Sequence, residues 1–328
     1  MRAVVVTAFG GPEVLQYQEV PDPRPGLGQV LIRVAATGVN FADIQARRGR
    51  YHGEATPPFI PGLDAAGTIV AVGEGVHGLR VGQRVAAFPL GGSYAEFVLA
   101  DPALVYPLPD GVDFETAAAF PTIGITAYNL LRTAGQLAEG ETVLIHAAAG
   151  GVGTTAVQVA RLLGAGRVLG TVGDDAKAEL VRGLGADVVI NYRREDFAAR
   201  VRELTDGRGA DVILDSVAGP VFRASLTCLA PFGRLVVFGQ ASGEPGQVPS
   251  ADLYPLNRAV IGYSTGGYRR LRPAALRPAA EVVLDWLATR RLHLIISRRF
   301  ALAEAAEAHR LVESRASTGK VLLLPETS

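Results

Sequence analysis

The sequence predicts an α/β fold in which a six-stranded, doubly wound parallel sheet is joined to a mainly β unit. Three observations carry the prediction. From residue 142 onward, apolar β-branched runs alternate with amphipathic helical stretches every 20–25 residues or so, the rhythm of parallel strands returned by helices. Before residue 122 the chain consists of short strand-like runs broken by Gly/Pro turns. Where the first of the later strands ends, the chain sheds nearly all its side chains: residues 145–160 read IHAAAGGVGTTAVQVA.

In the first part the strand candidates are RAVVV (2–6), QVLIRVAATGV (29–39), AAGTIVAVG (65–73), QRVAAF (83–88) and YAEFVLA (94–100). PDPRPGLG, VGEGVHGLRVG and PLGGS separate them as turns, which suggests a twisted, barrel-like unit. In the second part the candidates are TVLIHA (142–147), RVLGTV (167–172), DVVIN (187–191), DVILDSV (211–217), GRLVVFG (233–239) and RAVIGYST (258–265). A further helix covers 273–291, and the tail AEAAEAHRLVESRASTGKVLLLP reads as helix, turn and closing strand. With the parallel sheet complete near 265, the tail is expected to rejoin the first unit. The expected division is therefore 1–122 and 266–328 for the β-rich domain and 123–265 for the parallel one.

Composition narrows the function classes. A chain of 328 residues, 48% hydrophobic, can fill two cores. Acidic and basic residues balance at 32 each, so no global field draws the chain to nucleic acid or an anionic membrane. The single cysteine, Cys228, excludes an internal disulfide and any multi-cysteine metal site, and suits a reducing cytoplasm. MRAVVVTAFG reads as a first strand, not a signal peptide, and no apolar stretch reaches the roughly 18–20 residues of a membrane span. A soluble cytoplasmic protein is expected.

The bare segment is the most informative one. After TVLIHA, Ala148-Ala149-Gly150-Gly151-Val152-Gly153 follows the dinucleotide pattern G-x-G-x-x-G with alanine in the first place. Gly150 lets the backbone approach a pyrophosphate, Gly153 lets the next helix pack close to its strand, and the helix start offers N–H groups to the anion. Alone such a turn is weak; at the first strand of an alternating series it is strong. At the end of the second strand, where NAD proteins place an acid for the ribose 2′-OH, stands Gly173, with Lys177 one helical turn on. A small residue beside a cation favours a 2′-phosphate, hence NADPH. Asp174 and Asp175 read either as helix caps or as ribose ligands.

With these segments in hand, the whole chain resembles the zinc-independent, zeta-crystallin-like quinone oxidoreductases of the medium-chain dehydrogenase/reductase superfamily. The resemblance rests on NFAD (40–43), PGLDAAG (61–67), AAAGGVG (147–153), TVGDDAKA (171–178), NYR (191–193), DSVAG (215–219), ESR (313–315) and GK (319–320). It implies a GroES-like catalytic domain split around a Rossmann domain, with the nicotinamide in a cleft between them, and a homodimer paired through the edge strand near 258–265. Zinc-dependent relatives carry a cysteine ligand near position 40 and a Gly-His-Glu motif; here Asn40 and Gly62-Leu63-Asp64 stand in those places. Histidines 52, 77, 146, 293 and 309 show no ligand spacing, and His146 reads as a packed residue beside the turn. No metal is expected.

The resemblance also implies the contacts. Asn40 lies by the nicotinamide or stabilises a turn, and Thr126 lies by its ribose and phosphates. Gly150, Gly151, Val152 and Gly153 form the pyrophosphate turn; Gly173, Lys177 and Tyr192 surround the adenosine ribose phosphate; Phe238, Gly239 and Ser242 follow the fifth strand. Arg315 is either a cofactor contact or a surface charge at a helix end. Tyr51 lines the substrate pocket or is a loop tyrosine, and a second family tyrosine is Gln45 here. The expected activity is metal-free hydride transfer from NADPH to a quinone, a good hydride acceptor that the protein mainly positions. An enoyl or 2-alkenal reductase is the alternative, and a non-catalytic, crystallin-like or RNA-binding NADPH protein a third reading.

Overall fold

The computed structural model describes residues 1–51 and 56–326. Its strands are β1 (Arg2–Val6), β2 (Leu15–Glu19), β3 (Val30–Val39), β4 (Asp64–Val72), β5 (Arg84–Ala87), β6 (Phe97–Ala100), β7 (Val105–Pro107), β8 (Thr142–Ile145), β9 (Arg167–Val172), β10 (Val188–Asn191), β11 (Ala210–Asp215), β12 (Leu229–Val237), β13 (Ala259–Gly262), β14 (Ile296–Ala301) and β15 (Lys320–Leu324). The α-helices are α1 (Phe41–Arg47), α2 (Phe114–Asn129), α3 (Gly151–Leu162), α4 (Asp175–Gly183), α5 (Phe197–Leu204), α6 (Gly219–Thr227), α7 (Thr265–Leu271), α8 (Arg277–Ala288) and α9 (Ala305–Glu313). They assemble into two units: Met1–Ile125 with Thr265–Ser328, and Thr126–Ser264.

The second unit is the doubly wound parallel sheet. Its strand order is β10-β9-β8-β11-β12-β13, and every pairing is parallel. Counted within the unit this is third, second, first, fourth, fifth, sixth, so the order reverses beside β8 and opens the ligand crevice at the strands' carboxyl ends. Leu144, Leu169, Ile190, Ile213 and Leu235 from five adjacent strands share one core with Phe197 and Phe222 from α5 and α6. Strand β8 ends at Ile145, short of the expected Ala147, because Ala147 adopts a left-handed backbone with φ 50 and turns the chain.

In the first unit, β14-β15-β3-β4-β5-β7 form one sheet to which β6 adds by pairing with β3, while β1 and β2 pair separately. All its pairs are antiparallel except β14 with β15. Val4 and Tyr94 share a core with Leu302, Ala308 and Val321, so the tail completes this unit. Strands β2, β7 and β14 are too short or too polar for pattern reading: β14 is ISRRFA with no fully buried residue. Helix α2 runs through Pro121, where the sequence changes character. The proline ring cannot donate to the carbonyl four residues back, and the next amide, that of Thr122, donates to Asp64 Oδ1 at 2.8 Å.

Candidate functional site

The turn after β8 has two glycines with different physical reasons. A Cβ on Gly153 would stand 2.4 Å from the Ala147 carbonyl oxygen and 2.7 Å from Ala148 backbone, so only glycine lets α3 start this close to β8. A Cβ on Gly150 would meet only the Ala147 oxygen, at 3.4 Å. Gly150 is the N-cap of α3, extended at φ -77 and ψ 175, and offers no side-chain cap. The protein's own packing scarcely requires a glycine there, and the bare first turn of α3 leaves N–H groups and the positive dipole end for an anion. Gly151 and Val152 form that first turn. Ala148 occupies the pattern's first glycine place because its Cβ faces Gly170 of β9, where any side chain would lie 2.9 Å away.

At the end of β9, Gly173 faces Tyr192: a Cβ on Gly173 would sit 2.5 Å from the tyrosine hydroxyl and 3.5 Å from Arg193 Nε. Asp174 caps α4, its side chain accepting from the Ala176 amide. Asp175 is held by Asn191 Nδ2 at 2.6 Å and by an ion pair with Arg194. Both acids thus have structural duties. Lys177, half-buried in the first turn of α4, has its pKa lowered by burial and by the Arg193 charge, against the opposing pull of Asp174. Gly173 and Tyr192 therefore come together with Arg193 beside them, and Lys177 lies in the adjoining first turn of α4. The sequence reading did not single out Arg193, although NYR contains it.

Beyond β11 and β12 the crevice is lined differently. Asp215 is fully buried; its Oδ1 accepts from the Val217 and Ala218 amides, and Oδ2 has no partner among the described residues. Gly239 lies against Ser216, where a Cβ would come within 2.8 Å of the carbonyl oxygen, and the Phe238 amide donates to Asp215 O. Ser242 is exposed and its hydroxyl serves its own loop, donating to Glu244 O. Thr126 is buried in α2. His146 lies between Thr171 Oγ1 at 3.0 Å and Ser225 Oγ at 2.9 Å, edge-on to Phe197, and burial lowers its pKa to about 3. It is a neutral packed residue.

In the first unit Asn40 heads a buried polar cluster. It stands at the N-cap position of α1, but its side chain turns away from the helix. Lys320 Nζ donates to Asn40 Oδ1 and to Asp64 Oδ2, each at 2.5 Å. Asn40 Nδ2 donates to Asp64 Oδ2 at 2.8 Å and to Gly38 O at 3.3 Å, and Asp64 Oδ1 accepts from both the amide and hydroxyl of Thr122. Both amide protons of Asn40 are thereby taken. Behind it, Asp43 Oδ2 accepts from Asn40 N at 2.8 Å and from the Tyr94 hydroxyl at 3.2 Å. Tyr94 meets His309 Nε2 at 3.1 Å, while His309 Nδ1 faces Arg47 Nη1, which also pairs through Nη2 with Glu313. One arrangement of protons satisfies the chain: Arg47 donates to Nδ1, neutral His309 donates through Nε2–H to Tyr94, and Tyr94 donates to Asp43. Burial and Arg47 lower His309 to about 3, and burial raises Asp43 to about 7. Lys320, Asp64, Asp43 and His309 escaped the sequence reading of the site; the lysine and Asp64 lie in the GK and PGLD segments, but nothing local links them.

Tyr51 is half-buried in the same unit. Gln45 lies on α1. Arg315 is exposed just past α9 in the left-handed conformation, φ 58. Among the described residues no three His, Cys, Asp or Glu side chains converge to hold a metal; His52 lies outside the described residues.

Two family models match the chain: the alcohol dehydrogenase GroES-like domain over residues 26–110 and zinc-binding dehydrogenase over residues 151–281. The quinone oxidoreductase of Pseudomonas aeruginosa is 42% identical over 327 residues, covering 99% of both chains. A 2-haloacrylate reductase of a Burkholderia species is 37% identical over 335 residues, again covering 99% of each. Among solved structures, that of Escherichia coli quinone oxidoreductase complexed with NADPH superposes with a TM-score of 0.91 at 34% identity, covering 99% of this chain and 100% of that one.

Proposed function

The chain belongs to the quinone oxidoreductase family of the medium-chain dehydrogenase/reductase superfamily, and from that premise we propose that it is an NADPH-dependent quinone reductase. The observation that carries this reading is Gly150: a side chain there would be tolerated by the fold but would stand where a diphosphate must approach. The residues fit the coenzyme. Gly150, Gly151, Val152 and Gly153 would take the pyrophosphate at the start of α3. Lys177 and Arg193, beside Gly173 and Tyr192, would take the 2′-phosphate, while Asp174 caps α4 and Asp175 is engaged by Asn191 and Arg194. Thr126, Phe238, Gly239 and Ser242 would complete the binding surface on this unit.

When bound, NADPH supplies a hydride. The protein's part is to bind the acceptor, orient it and exclude water. Tyr51 would donate a hydrogen bond to an acceptor oxygen. Asn40 would form the wall of the acceptor pocket, held rigid by Lys320 and Asp64, which is the precision a positioning residue needs. The chemistry is read as metal-free on the character of the donor set. A lysine, an amide and a carboxylate already paired with that lysine do not offer zinc the tetrahedral N/S/O shell it requires. A quinone needs no Lewis acid, because the added charge delocalises onto oxygen.

The similarity to a 2-haloacrylate reductase favours a conjugated carbonyl as the second class of acceptor. A homodimer joined along β13, the terminal strand of the parallel sheet, and a cytoplasmic location belong to the same proposal. No helix among the described residues is long and apolar enough to cross a membrane. The test is a pair of assays: kcat/KM with NADPH and NADH, then NADPH oxidation with benzoquinone, naphthoquinone and an alkenal. A preference for NADH, or an alkenal turned over while both quinones are refused, would overturn the reading.

A further inference from the structure

The coenzyme turn is stripped of anchors of its own. From Ala147 to Gly153 the chain reads AAAGGVG, with no side chain able to make a hydrogen bond. A segment kept bare for a ligand must be held from outside. At its α3 end the hydroxyls of Thr154 and Thr155 donate back to Gly150 O and Gly151 O, at 3.0 and 2.9 Å. At its β8 end the holding side chain is His146, 3% exposed, immediately before Ala147 takes its left-handed turn.

The imidazole ties the end of β8 to two other elements. Nδ1 lies 3.0 Å from Thr171 Oγ1 on β9, and Nε2 lies 2.9 Å from Ser225 Oγ on α6, both partners buried as well. The Ser225 hydroxyl gives its one proton to Val221 O at 2.7 Å, so towards the ring it can only accept. Nε2 therefore carries the ring proton, and Nδ1 accepts from the Thr171 hydroxyl. Burial, which holds the His146 pKa down at about 3, keeps the ring neutral. Thr171 is gripped twice, because its carbonyl accepts from the Ala148 amide at 3.0 Å. Two residues further on stands Gly173, at the corner with Tyr192 and Arg193. The start of the bare turn and the approach to that corner thus hang on one threonine.

We propose that His146 is a positioning residue of the coenzyme site: donating through Nε2 to α6 and accepting at Nδ1 from Thr171, it fixes the bare turn to β9 and so sets the spacing between the pyrophosphate cradle and the 2′-phosphate corner. This deepens, and rests on, the NADPH reading. Its part is geometric, and it moves no proton. A ligand that spans both points loses affinity when their spacing is free to vary, since its binding energy must then also order the turn. A ligand that engages only one of them does not.

The test uses His146→Leu, which deletes both hydrogen bonds, and His146→Asn, whose Oδ1 can replace Nδ1 as acceptor for Thr171 while the bond to Ser225 is lost. Titration calorimetry measures NADPH, which spans the two points, and 2′-AMP, which carries the 2′-phosphate alone. His146→Leu is expected to weaken NADPH about 10-fold and to leave 2′-AMP within about 2-fold of wild type; His146→Asn should recover most of the NADPH loss. A merely structural role would weaken both ligands alike and would not separate asparagine from leucine. Should His146→Leu not fold, Thr171→Val removes the same bond from the other side with an isosteric side chain and carries the same two expectations. The proposal is overturned by NADPH affinity within about 2-fold of wild type in a folded His146→Leu or Thr171→Val, by equal losses for NADPH and 2′-AMP, or by no recovery in His146→Asn. Because every arm reads binding, a wild type that binds NADPH but reduces no quinone defeats the functional reading alone and leaves these comparisons to decide on His146.

Discussion

Replacing Lys320 with methionine tests whether the buried cluster holds the first unit together. The ammonium and the Asp64 carboxylate are 2.5 Å apart, with side chains 2% and 0% exposed. At an effective dielectric of about 20 their gross attraction is roughly 6–7 kcal/mol, much of it cancelled by desolvation of the two ions. Methionine keeps the length of the stem but leaves Asp64 charged and buried, with Thr122 and Asn40 as its remaining donors, and it deprives Asn40 Oδ1 of Lys320. Loss of one partner from such a pair costs about 3–5 kcal/mol. Asp64→Asn alone should cost a similar amount. Combined with Lys320→Met it should recover part of the loss, because both members of the ion pair are then removed and neither charge is left buried without its partner. The assay is urea unfolding followed by Trp286, the one tryptophan of the chain, which is buried on α8 in this same unit and so reports its unfolding. Single variants that each cost under about 1 kcal/mol, or two losses that simply add, would refute the reasoning.

Gly150→Ala should fold normally and weaken NADPH binding by at least ~10-fold, whereas Gly153→Ala should lose stability first, since its Cβ would enter Ala147 and Ala148 backbone; thermal melts beside fluorescence titration separate the two. Tyr51→Phe should lower quinone kcat/KM while leaving NADPH affinity intact, and unchanged turnover would remove its hydroxyl from the mechanism. In the first unit, whose unfolding Trp286 reports, the pH dependence follows from two buried groups of opposite sign; His146, shifted like His309, lies in the other unit. Burial raises Asp43 from 3.8 to about 7, so the folded protein retains a proton that the unfolded chain has released, and stability from this group falls as pH climbs through that interval. Burial and Arg47 lower His309 from 6.5 to about 3, so its contribution rises with pH across that window. The two nearly cancel in the wild type; Asp43→Asn should unmask a rise of about 1.4 kcal/mol per pH unit between roughly pH 4 and 6, read by Trp286 in urea. A flat profile in that variant would show that His309 titrates normally.

Much of the coenzyme-binding unit is legible in the sequence alone. The bare turn, the six apolar runs and the absence of an acid at Gly173 are local features, and parallel strands buried on both faces write their hydrophobicity without interruption. Arg193 was missed because its place beside Gly173 depends on how β10 lies against β9. The short strands β2, β7 and β14 were missed because their pairing comes from neighbours, not from their own pattern.

The sequence by itself therefore determined the alternation that makes the parallel sheet and the glycines that open the start of α3, because both follow from backbone sterics and from the period of apolar residues within a few turns of chain. Only the tertiary structure decided the polar interior of the first unit. Lys320 lies 280 residues from Asn40 and 256 from Asp64, yet one ammonium joins them. Arg269 reaches a carbonyl 180 residues away and keeps unfilled donors in the interior. A charged residue carries no local mark of being buried. Whether it is paired, strained or left with donors unfilled depends on which distant segments close over it, and that is settled by packing.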